Sequence, residues 1–308
     1  MIQAKKNRIF RIIPVICAAV ALAFAAFTFW LPSFVMTGAR QTLEEAFQWQ
    51  TDHYDTSFYE DLEKAHYTVS GFEDYTLHVE LLKNPAPAGK YIILSHGYSD
   101  NRIGSLKYVP IYLKLGYHCI IYDLRGHGEN EPTFTTYGVR EAQDLTKLIE
   151  DTRARYDDLT VLGLHGESLG AATTITALKY KPDIDFAVAD CGFSDIENVL
   201  KTGYRSAHLP ESIFELADFG TRIRYHYALK DMRPIDSLDE NTIPILFLHG
   251  EEDSFILPKN SMDLAERTKG NYQLHLVPGA GHAESVLVAP EQYQQYVKEF
   301  TEGLEQAE

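Results

Sequence analysis

Two patterns of apolar residues divide the chain. The first is one unbroken stretch near the N-terminus, where residues 12–31 carry no charge. Beyond residue 71, the apolar residues fall instead into short runs separated by longer segments with helical spacing. Short apolar strands that alternate with helices predict a parallel sheet buried on both faces. We therefore expect an α/β fold with a mostly parallel central sheet and one apolar N-terminal helix.

The expected strands are bounded by turn residues, of which the cluster at 84–89 is the clearest. They are predicted at 75–82, 91–95, 117–122, 160–164, 186–189, 245–248 and 272–277. The helices between them are predicted at 105–115, 139–156, 169–180, 259–268 and 290–304.

The apolar stretch 12–31 predicts a transmembrane anchor. Its twenty residues rise 1.5 Å each in a helix, enough for a hydrocarbon core of about 30 Å. Basic residues are dense in the preceding segment 1–11, whereas Glu44 and Glu45 follow the stretch. The positive-inside rule then places segment 1–11 in the cytoplasm. This predicts a single-pass protein of the cell membrane whose large domain is extracellular.

A cleaved signal peptide is the alternative interpretation of this segment, and it predicts a secreted protein. Residues 21–23 read Ala-Leu-Ala and resemble a cleavage site. The apolar run continues well past them, however, which favours a retained signal-anchor.

The remaining chain divides into a connector and one large domain. Residues 40–70 have charged, amphipathic spacing and predict a helical connector. Residues 71–308 form the α/β domain, which is a common length for one such unit. The strand–helix rhythm breaks at 193–240, and this insertion is predicted to form a small lid.

A candidate nucleophile lies after the predicted strand 160–164. The sequence Gly166-Glu167-Ser168-Leu169-Gly170 matches G-x-S-x-G, and a helix rich in small residues follows. This chemistry needs a serine on a sharp strand-to-helix turn, with glycines that allow the two elements to approach closely. Ser168 is therefore predicted as the nucleophile, at the carboxyl edge of the sheet.

A serine hydroxyl needs a base, which an acid orients. His282 follows the last predicted strand, so its loop lies at the same edge of the sheet as Ser168. The acid is expected between serine and histidine in chain order. Asp253, after the strand 245–248, is the preferred candidate, with Asp190 and more weakly Glu252 as alternatives.

Two backbone N–H groups are predicted to form an oxyanion hole. Leu169 supplies one from the start of the helix after the nucleophile. The other is expected in the loop after strand 91–95, where we choose Tyr98. His96 precedes the serine in the chain and is expected to pack beneath this loop.

Composition narrows the choice of partners. The net charge of −16 argues against nucleic acid, because phosphate contacts need clustered Lys and Arg. The three cysteines lie in or beside apolar runs without metal-ligand spacing. We expect no metal, no organic cofactor and no obligate protein partner.

Together these motifs resemble the α/β-hydrolase superfamily, in its serine-aminopeptidase-like and lysophospholipase-like branch. They also resemble the N-terminally anchored, uncharacterised hydrolases of Gram-positive bacteria within that branch. The resemblance covers residues 75–303 and is carried by His96-Gly97, the run 122–128, the motif around Ser168, the run 249–253 and Gly281-His282. It implies that 71–308 is an α/β-hydrolase domain and that Asp123 and Arg125, in the run 122–128, are structural.

The predicted function is a serine hydrolase that cleaves a carboxylic ester, or a related small acyl compound, through an acyl-enzyme. A cell-surface peptidase or amidase of the serine aminopeptidase type is the second hypothesis. The resemblance implies a larger helical cap in peptidases than the roughly fifty residues between Asp190 and Ile245. A third hypothesis is an anchored binding protein on an inactive hydrolase scaffold.

Overall fold

The computed structural model describes residues 2–86 and 89–306, with the side chains of residues 2–13 excluded. The basic side chains of the predicted cytoplasmic segment 1–11 therefore lie outside the described part. So do Pro87 and Ala88 of the turn predicted at 84–89.

The elements follow one another as helices and strands along the whole chain. In order they are α1 Ile2–Met36, α2 Leu43–His53, α3 Ser57–Asp61, β1 Lys64–Ser70, β2 Thr76–Leu82, β3 Lys90–Ser95, α4 Val109–Lys114, β4 Tyr117–Tyr122, α5 Val139–Arg155, β5 Val161–Glu167, α6 Leu169–Ala177, β6 Phe186–Asp190, α7 Ile196–Ser206, α8 Ile213–Tyr225, β7 Ile245–Gly250, α9 Lys259–Arg267, β8 Tyr272–Val277, α10 Ser285–Val288 and α11 Pro290–Glu305.

The strands form one sheet in the order β1-β2-β4-β3-β5-β6-β7-β8. β2 runs antiparallel to both of its neighbours, whereas β3 to β8 are all parallel to one another. The expected α/β-hydrolase fold with a mostly parallel sheet is thus confirmed. Parallel pairing brings the carboxyl ends of β3, β5, β6, β7 and β8 to one edge.

Both faces of the sheet are buried, because successive side chains of a strand point to opposite sides. On β3, Tyr91 and Ile93 belong to one apolar core, while Ile92 and Leu94 belong to the other. The near-continuous apolar runs in the sequence follow from this double burial.

One strand was missed in the sequence. Residues 64–70, assigned to the helical connector, form β1 and pair with β2 from Lys64↔Leu82 to Ser70↔Thr76. Within β1 only Val69 is buried, because the strand lies at the edge of the sheet. Ala65 and Tyr67, on the same side of the strand as Val69, are only partly buried against the core, so the last helix of the connector is α3, which ends at Asp61.

The predicted helices differ from the structure mainly at their ends. The helix expected at 105–115 begins as a 3₁₀ segment, Arg102–Tyr108, and becomes α-helical only from Val109, where Pro110 fits the first turn. The helix that follows Ser168 ends at Ala177 and continues as one 3₁₀ turn.

The N-terminal helix α1 is longer than the predicted span. Its stretch Pro14–Met36 is long and apolar enough to cross a membrane, with a mean hydropathy of 2.2 over its best window. Its last two turns bury Leu31, Val35 and Met36. The insertion 193–240 contains α7 and α8, and the end of α1 packs against α8.

Candidate active site

Ser168 occupies a strained turn between β5 and α6. Its φ of 54° and ψ of −111° are unusual for a residue with a side chain. A side chain at Gly166 would collide with the Gly170 carbonyl, and one at Gly170 with the Ser95 carbonyl. Both glycines thus allow the close approach that the motif predicts. The turn is further held by the Ser168 N–H, which donates to the Asp190 carbonyl at 2.9 Å.

His282 lies in the loop between β8 and α10, at the same edge of the sheet. Its Nε2 is 3.0 Å from Ser168 Oγ. Its side chain is 23% exposed, whereas Ser168 is only 7% exposed. The aromatic ring of Phe255 packs edge-on against the imidazole, with ring centroids 5.1 Å apart. The serine is therefore covered, while the base remains reachable from solvent.

Asp253 holds the other nitrogen of this imidazole. Its Oδ2 lies 2.7 Å from His282 Nδ1. Its Oδ1 accepts hydrogen bonds from the N–H groups of Phe255 and Ile256, at 2.9 and 2.8 Å. A second histidine, His249, places Nε2 3.2 Å from Oδ2. This carboxylate is buried, and four donors surround it.

Burial alone works to raise the pKa of the Asp253 carboxyl. Hydrogen bonds from His249 and His282, with the Ile256 N–H, outweigh burial and hold the pKa well below its usual range. Asp253 is therefore a carboxylate at neutral pH.

The charge of Asp253 fixes the tautomer of His282. A carboxylate only accepts hydrogen bonds, so His282 Nδ1 carries the proton and Nε2 is left to accept one from Ser168. The same logic applies to His249. Its Nε2 also lies 2.7 Å from the Ile256 carbonyl, so this nitrogen carries a proton, while Nδ1 accepts from the Ser261 hydroxyl at 2.7 Å.

The two alternative acids do not reach His282. Asp190 lies at the end of β6, where its Oδ2 accepts hydrogen bonds from the hydroxyls of Tyr108 and Tyr293 at 3.0 and 2.9 Å. Glu252 is exposed, and its backbone N–H donates to the Ala280 carbonyl. Of the three candidates, Asp253 is the one that contacts the imidazole.

The two predicted oxyanion donors come from different parts of the chain. Leu169 is the first residue of α6, and Tyr98 lies in the loop after β3. Within residues 2–86 and 89–306, neither N–H donates to another protein atom. Unpaired N–H groups beside a nucleophile can stabilise a developing oxyanion.

The side chain of Tyr98 is held by the end of α1, which the sequence did not reveal. Its hydroxyl donates to the Val35 carbonyl at 2.9 Å and accepts from the Gly38 N–H at 2.9 Å. Its ring stacks on Tyr137, with centroids 5.6 Å apart, and the Tyr137 hydroxyl also donates to Val35. The first residues after the predicted anchor thus position the loop that carries the predicted oxyanion donor Tyr98.

His96 packs beneath this loop, as its place in the sequence suggested. It is buried, its Nε2 accepts from the Leu124 N–H at 2.9 Å, and Nδ1 donates to the Gly97 carbonyl at 2.7 Å. Burial lowers the pKa of His96 to about 3. A neutral imidazole with both nitrogens occupied is a structural support.

Asp123 and Arg125 have the structural contacts that the resemblance implies. Arg125 makes two hydrogen bonds to the Asp144 carboxylate, at 2.8 and 2.7 Å. Asp123 accepts from the N–H groups of Arg102 and Glu129 at 2.8 and 3.0 Å. Both side chains are buried, so they fix the loop around the site.

A buried polar network lies behind the nucleophile, and sequence reasoning missed it. Glu167, next to Ser168, pairs with the buried Lys107 and accepts from the Tyr108 hydroxyl at 2.5 Å. Burial works to lower the pKa of Lys107, but the Glu167 carboxylate outweighs burial and raises it. Tyr108 connects this pair to Asp190, whose pKa burial raises to about 6.

The chemistry available at this edge is that of an activated hydroxyl. Ser168, His282 and Asp253 form a hydrogen-bonded chain. Among the residues that the structure describes, no three His, Cys, Asp or Glu side chains gather as they would to hold a metal ion.

Comparison of the sequence with known protein families finds a family that matches most of the α/β domain. Residues 104–302 match the prolyl oligopeptidase family. A Bacillus subtilis (strain 168) protein, the uncharacterized protein YqkD, is 30% identical over 277 residues, which cover 86% of this chain and 88% of that protein. The human alpha/beta hydrolase domain-containing protein 17C is 26% identical over 221 residues, 70% of this chain and 59% of that protein.

Solved structures share the same architecture. The Pyrococcus furiosus esterase Pf2001 superposes with a TM-score of 0.68 at 22% identity, covering 80% of this chain and 93% of the esterase. Est1E from Butyrivibrio proteoclasticus gives a TM-score of 0.59 at 18% identity, covering 78% of this chain and 98% of Est1E. At these identities the likeness establishes the fold.

Proposed function

This serine hydrolase belongs to the prolyl oligopeptidase family of the α/β-hydrolase superfamily, and we propose that it cleaves carboxylic esters with Ser168, His282 and Asp253 as a catalytic triad. The observation that carries the proposal is the pair of hydrogen-bond distances, 3.0 Å from Ser168 Oγ to His282 Nε2 and 2.7 Å from His282 Nδ1 to Asp253 Oδ2.

The reaction proceeds in two acyl transfers. Ser168 Oγ attacks the ester carbonyl carbon while His282 Nε2 takes its proton. The N–H groups of Tyr98 and Leu169 stabilise the oxyanion. When the intermediate collapses, the bond from the carbonyl carbon to the alkoxy oxygen breaks, and His282 gives its proton to the departing alcohol.

Water completes the cycle. It attacks the acyl group on Ser168, and His282 accepts the proton that water loses. Collapse of the second intermediate releases the carboxylic acid and returns a proton to Ser168. Asp253 stays ionised throughout and stabilises the imidazolium that forms in each half-reaction.

The surroundings of the triad favour an apolar acyl group. Phe255 is 56% exposed beside His282, Leu257 is exposed in the same loop, and Leu287 and Val288 are exposed at the end of α10. Apolar side chains with a few convergent polar groups are typical of small-molecule sites.

Replacing the nucleophile tests this proposal. Ser168→Ala is expected to lower hydrolysis of p-nitrophenyl butyrate at least 10³-fold, because the remaining groups supply no nucleophile. Ser254→Ala, an exposed serine in the loop that carries Asp253, is the matched control and is expected to retain activity. Full activity of the Ser168 variant would sink the assignment.

A peptidase or amidase is the second candidate, favoured by the family match to prolyl oligopeptidases. A panel of p-nitrophenyl esters with increasing acyl length, set beside an alanyl-prolyl p-nitroanilide, separates the two. We expect the esters to have the larger kcat/KM. Anilide turnover at or above that of the esters would make this chain a peptidase. An inactive binding protein would react with neither and would not label with a fluorophosphonate.

We also propose that α1 anchors the enzyme in the cell membrane, with the hydrolase domain outside the cell. The length and hydropathy of Pro14–Met36 support an anchor, and the basic residues before it support this orientation. The intact mass of the protein from the membrane fraction tests retention. A mature chain beginning after Ala23 in the culture medium would instead establish a signal peptide.

A further inference from the structure

The apolar helix α1 and the insertion 193–240 are joined by direct contact. Gly220 of α8 packs against the backbone of α1, where any larger side chain would collide with the Thr28 carbonyl and the Pro32 ring. Pro32 has no N–H, so it cannot donate the helical hydrogen bond that the Thr28 carbonyl would otherwise accept. Arg224 adds a hydrogen bond from Nη1 to the Phe29 carbonyl, at 3.0 Å. Helix α8 therefore crosses α1 at residues 28–32.

At that level both helices leave apolar side chains uncovered. On α1, Trp30 and Phe34 are 58% and 68% exposed and stack on each other, with ring centroids 5.9 Å apart. On α8, Phe219 and Ile223 are 58% and 45% exposed. They are four residues apart, so they lie on one face of the helix, next to the face that contacts α1. Contiguous exposed apolar surface of this kind marks an interaction site.

The length of the apolar helix indicates that the lipid bilayer covers this surface. From residue 12 to Phe27, before α8 is reached, α1 has 16 residues, which is about 24 Å at 1.5 Å per residue. The hydrocarbon core of a bilayer is about 30 Å thick. A membrane around α1 therefore reaches residues 28–31, which are the residues beside α8. The aromatic pair Trp30 and Phe34 lies where interfacial aromatic belts form.

Other exposed apolar side chains gather at the edge of the sheet that carries Ser168. Phe255 and Leu257 follow β7, while Leu287 and Val288 follow β8. Both segments, the second of which is α10, lie at the carboxyl edge, where the loop containing Tyr98 also contacts the end of α1. These four exposed apolar residues thus lie at the edge of the sheet whose loops include the one in contact with the end of α1.

We propose that the lipid-facing surface, formed by Phe219 and Ile223 of α8, docks on the bilayer in which α1 is embedded. The mouth of the proposed active site then opens at the lipid surface rather than toward bulk water. This inference rests on the membrane anchor proposed above. It does not require turnover, so the docking and the ester-cleaving proposals can fail separately.

Spin labels in the full-length protein, reconstituted in phosphatidylglycerol–phosphatidylcholine nanodiscs, test the proposal. In a Cys17→Ser background the remaining cysteines, Cys119 and Cys191, are buried and unreactive. Single substitutions Phe219→Cys and Ile223→Cys place a label on the surface. Tyr272→Cys is the matched control, because Tyr272 is 47% exposed at the opposite, amino edge of the sheet. The protein that keeps Cys17, labelled at that residue, serves as the reference for the membrane interior.

Power saturation with oxygen and with a water-soluble nickel chelate gives the readout. Oxygen concentrates in lipid, whereas the nickel chelate stays in water. Labels at 219 and 223 are therefore expected to be relaxed more by oxygen than by nickel, like a label at Cys17. The label at 272 is expected to be relaxed more by nickel. Nickel-dominated relaxation at 219 and 223, equal to that at 272, would overturn the proposal. So would protection from both reagents, because it would mean that protein covers this surface.

Discussion

Two buried aspartates at the carboxyl edge of the sheet have opposite electrostatic surroundings. Asp190 ends β6, and Asp253 follows the adjacent strand β7. Both are almost completely buried. Burial raises the pKa of Asp190 to about 6, whereas the pKa of Asp253 lies well below its usual range.

The difference lies in what surrounds each carboxyl group. Asp253 accepts hydrogen bonds from two backbone N–H groups and two imidazoles, and within the described part of the chain no other carboxylate contacts it. Asp190 accepts from two neutral phenols, and the nearby Glu167 carboxylate further disfavours its charge. Burial alone therefore does not select the acid of a triad. The donors around it decide whether it is charged when the imidazole needs it.

The largest effect is expected from Asp253→Asn. An amide at this position removes the charge that favours the Nδ1–H tautomer of His282, so Nε2 no longer accepts the Ser168 proton. We expect kcat/KM for p-nitrophenyl butyrate to fall about 10³–10⁴-fold at pH 7.5. Asp190→Asn is the matched control, since it makes the same chemical change one strand away. Comparable losses in both variants would remove the distinction between the two acids.

A smaller effect is expected at His249, which sequence reasoning did not assign a role. His249→Leu removes one donor to Asp253 and leaves the acid less firmly held, at a cost of roughly one hydrogen bond to a charged group, or about 10-fold in kcat/KM. His249→Gln can present an N–H near the position of Nε2, so it is expected to recover most of the activity. An equal defect in both variants would show that the ring, rather than the donor, matters.

Asp190 is expected to act on stability rather than on catalysis. Its folded-state pKa of about 6 exceeds the value of about 3.9 in an unfolded chain, so the folded state binds the proton more tightly. The contribution of Asp190 to stability is therefore lost as pH rises from about 4 to 6.

Asp190→Asn does not titrate, so it lacks this loss. Thermal unfolding of the full-length protein in nanodiscs is measured at several pH values. We expect the variant to become more stable relative to the wild type as pH rises. The difference in their free energies of unfolding should change by an amount on the order of 2 kcal/mol between pH 4 and 7. A constant difference between the two melting temperatures across this range would contradict the raised pKa.

The smallest change is expected from Tyr293→Phe. The Tyr293 hydroxyl donates to Asp190 at 2.9 Å and lies 3.2 Å from His165 Nε2. Its loss should lower the free energy of unfolding by about 1–2 kcal/mol. The kcat/KM should stay within about threefold of wild type, because the network does not contact His282. A catalytic loss as large as that of the Asp253 variant would make the network part of the machinery.

The residues around Asp253 were largely predictable from the sequence, and those around Asp190 were not. In a parallel sheet, a residue that follows a strand lies at the carboxyl edge, so the apolar runs placed Ser168, His282 and Asp253 together. The contacts of Asp190 come from Tyr108 and Tyr293, which are 185 residues apart in the sequence. No local pattern connects a buried tyrosine in a 3₁₀ segment with one in the last helix.

The same limit explains the other omissions. The strand β1 does alternate, with Ala65, Tyr67 and Val69 toward the core, but this short run at the edge of the sheet was assigned to the helical connector. The contact of Tyr98 with the end of α1 depends on the direction in which α1 runs relative to the domain. The spacing of apolar residues in the sequence does not encode that direction. Positions set by the regular sheet follow from sequence, whereas contacts between loops and distant helices need the folded chain.

The most direct test of the proposed triad is covalent labelling by a fluorophosphonate, followed by mass spectrometry of the modified peptide. We predict a single adduct on Ser168, formed at similar rates in the wild type and Asp190→Asn and far more slowly in Asp253→Asn. An adduct on another residue, or labelling that is unchanged by Asp253→Asn, would contradict the assignment of nucleophile and acid.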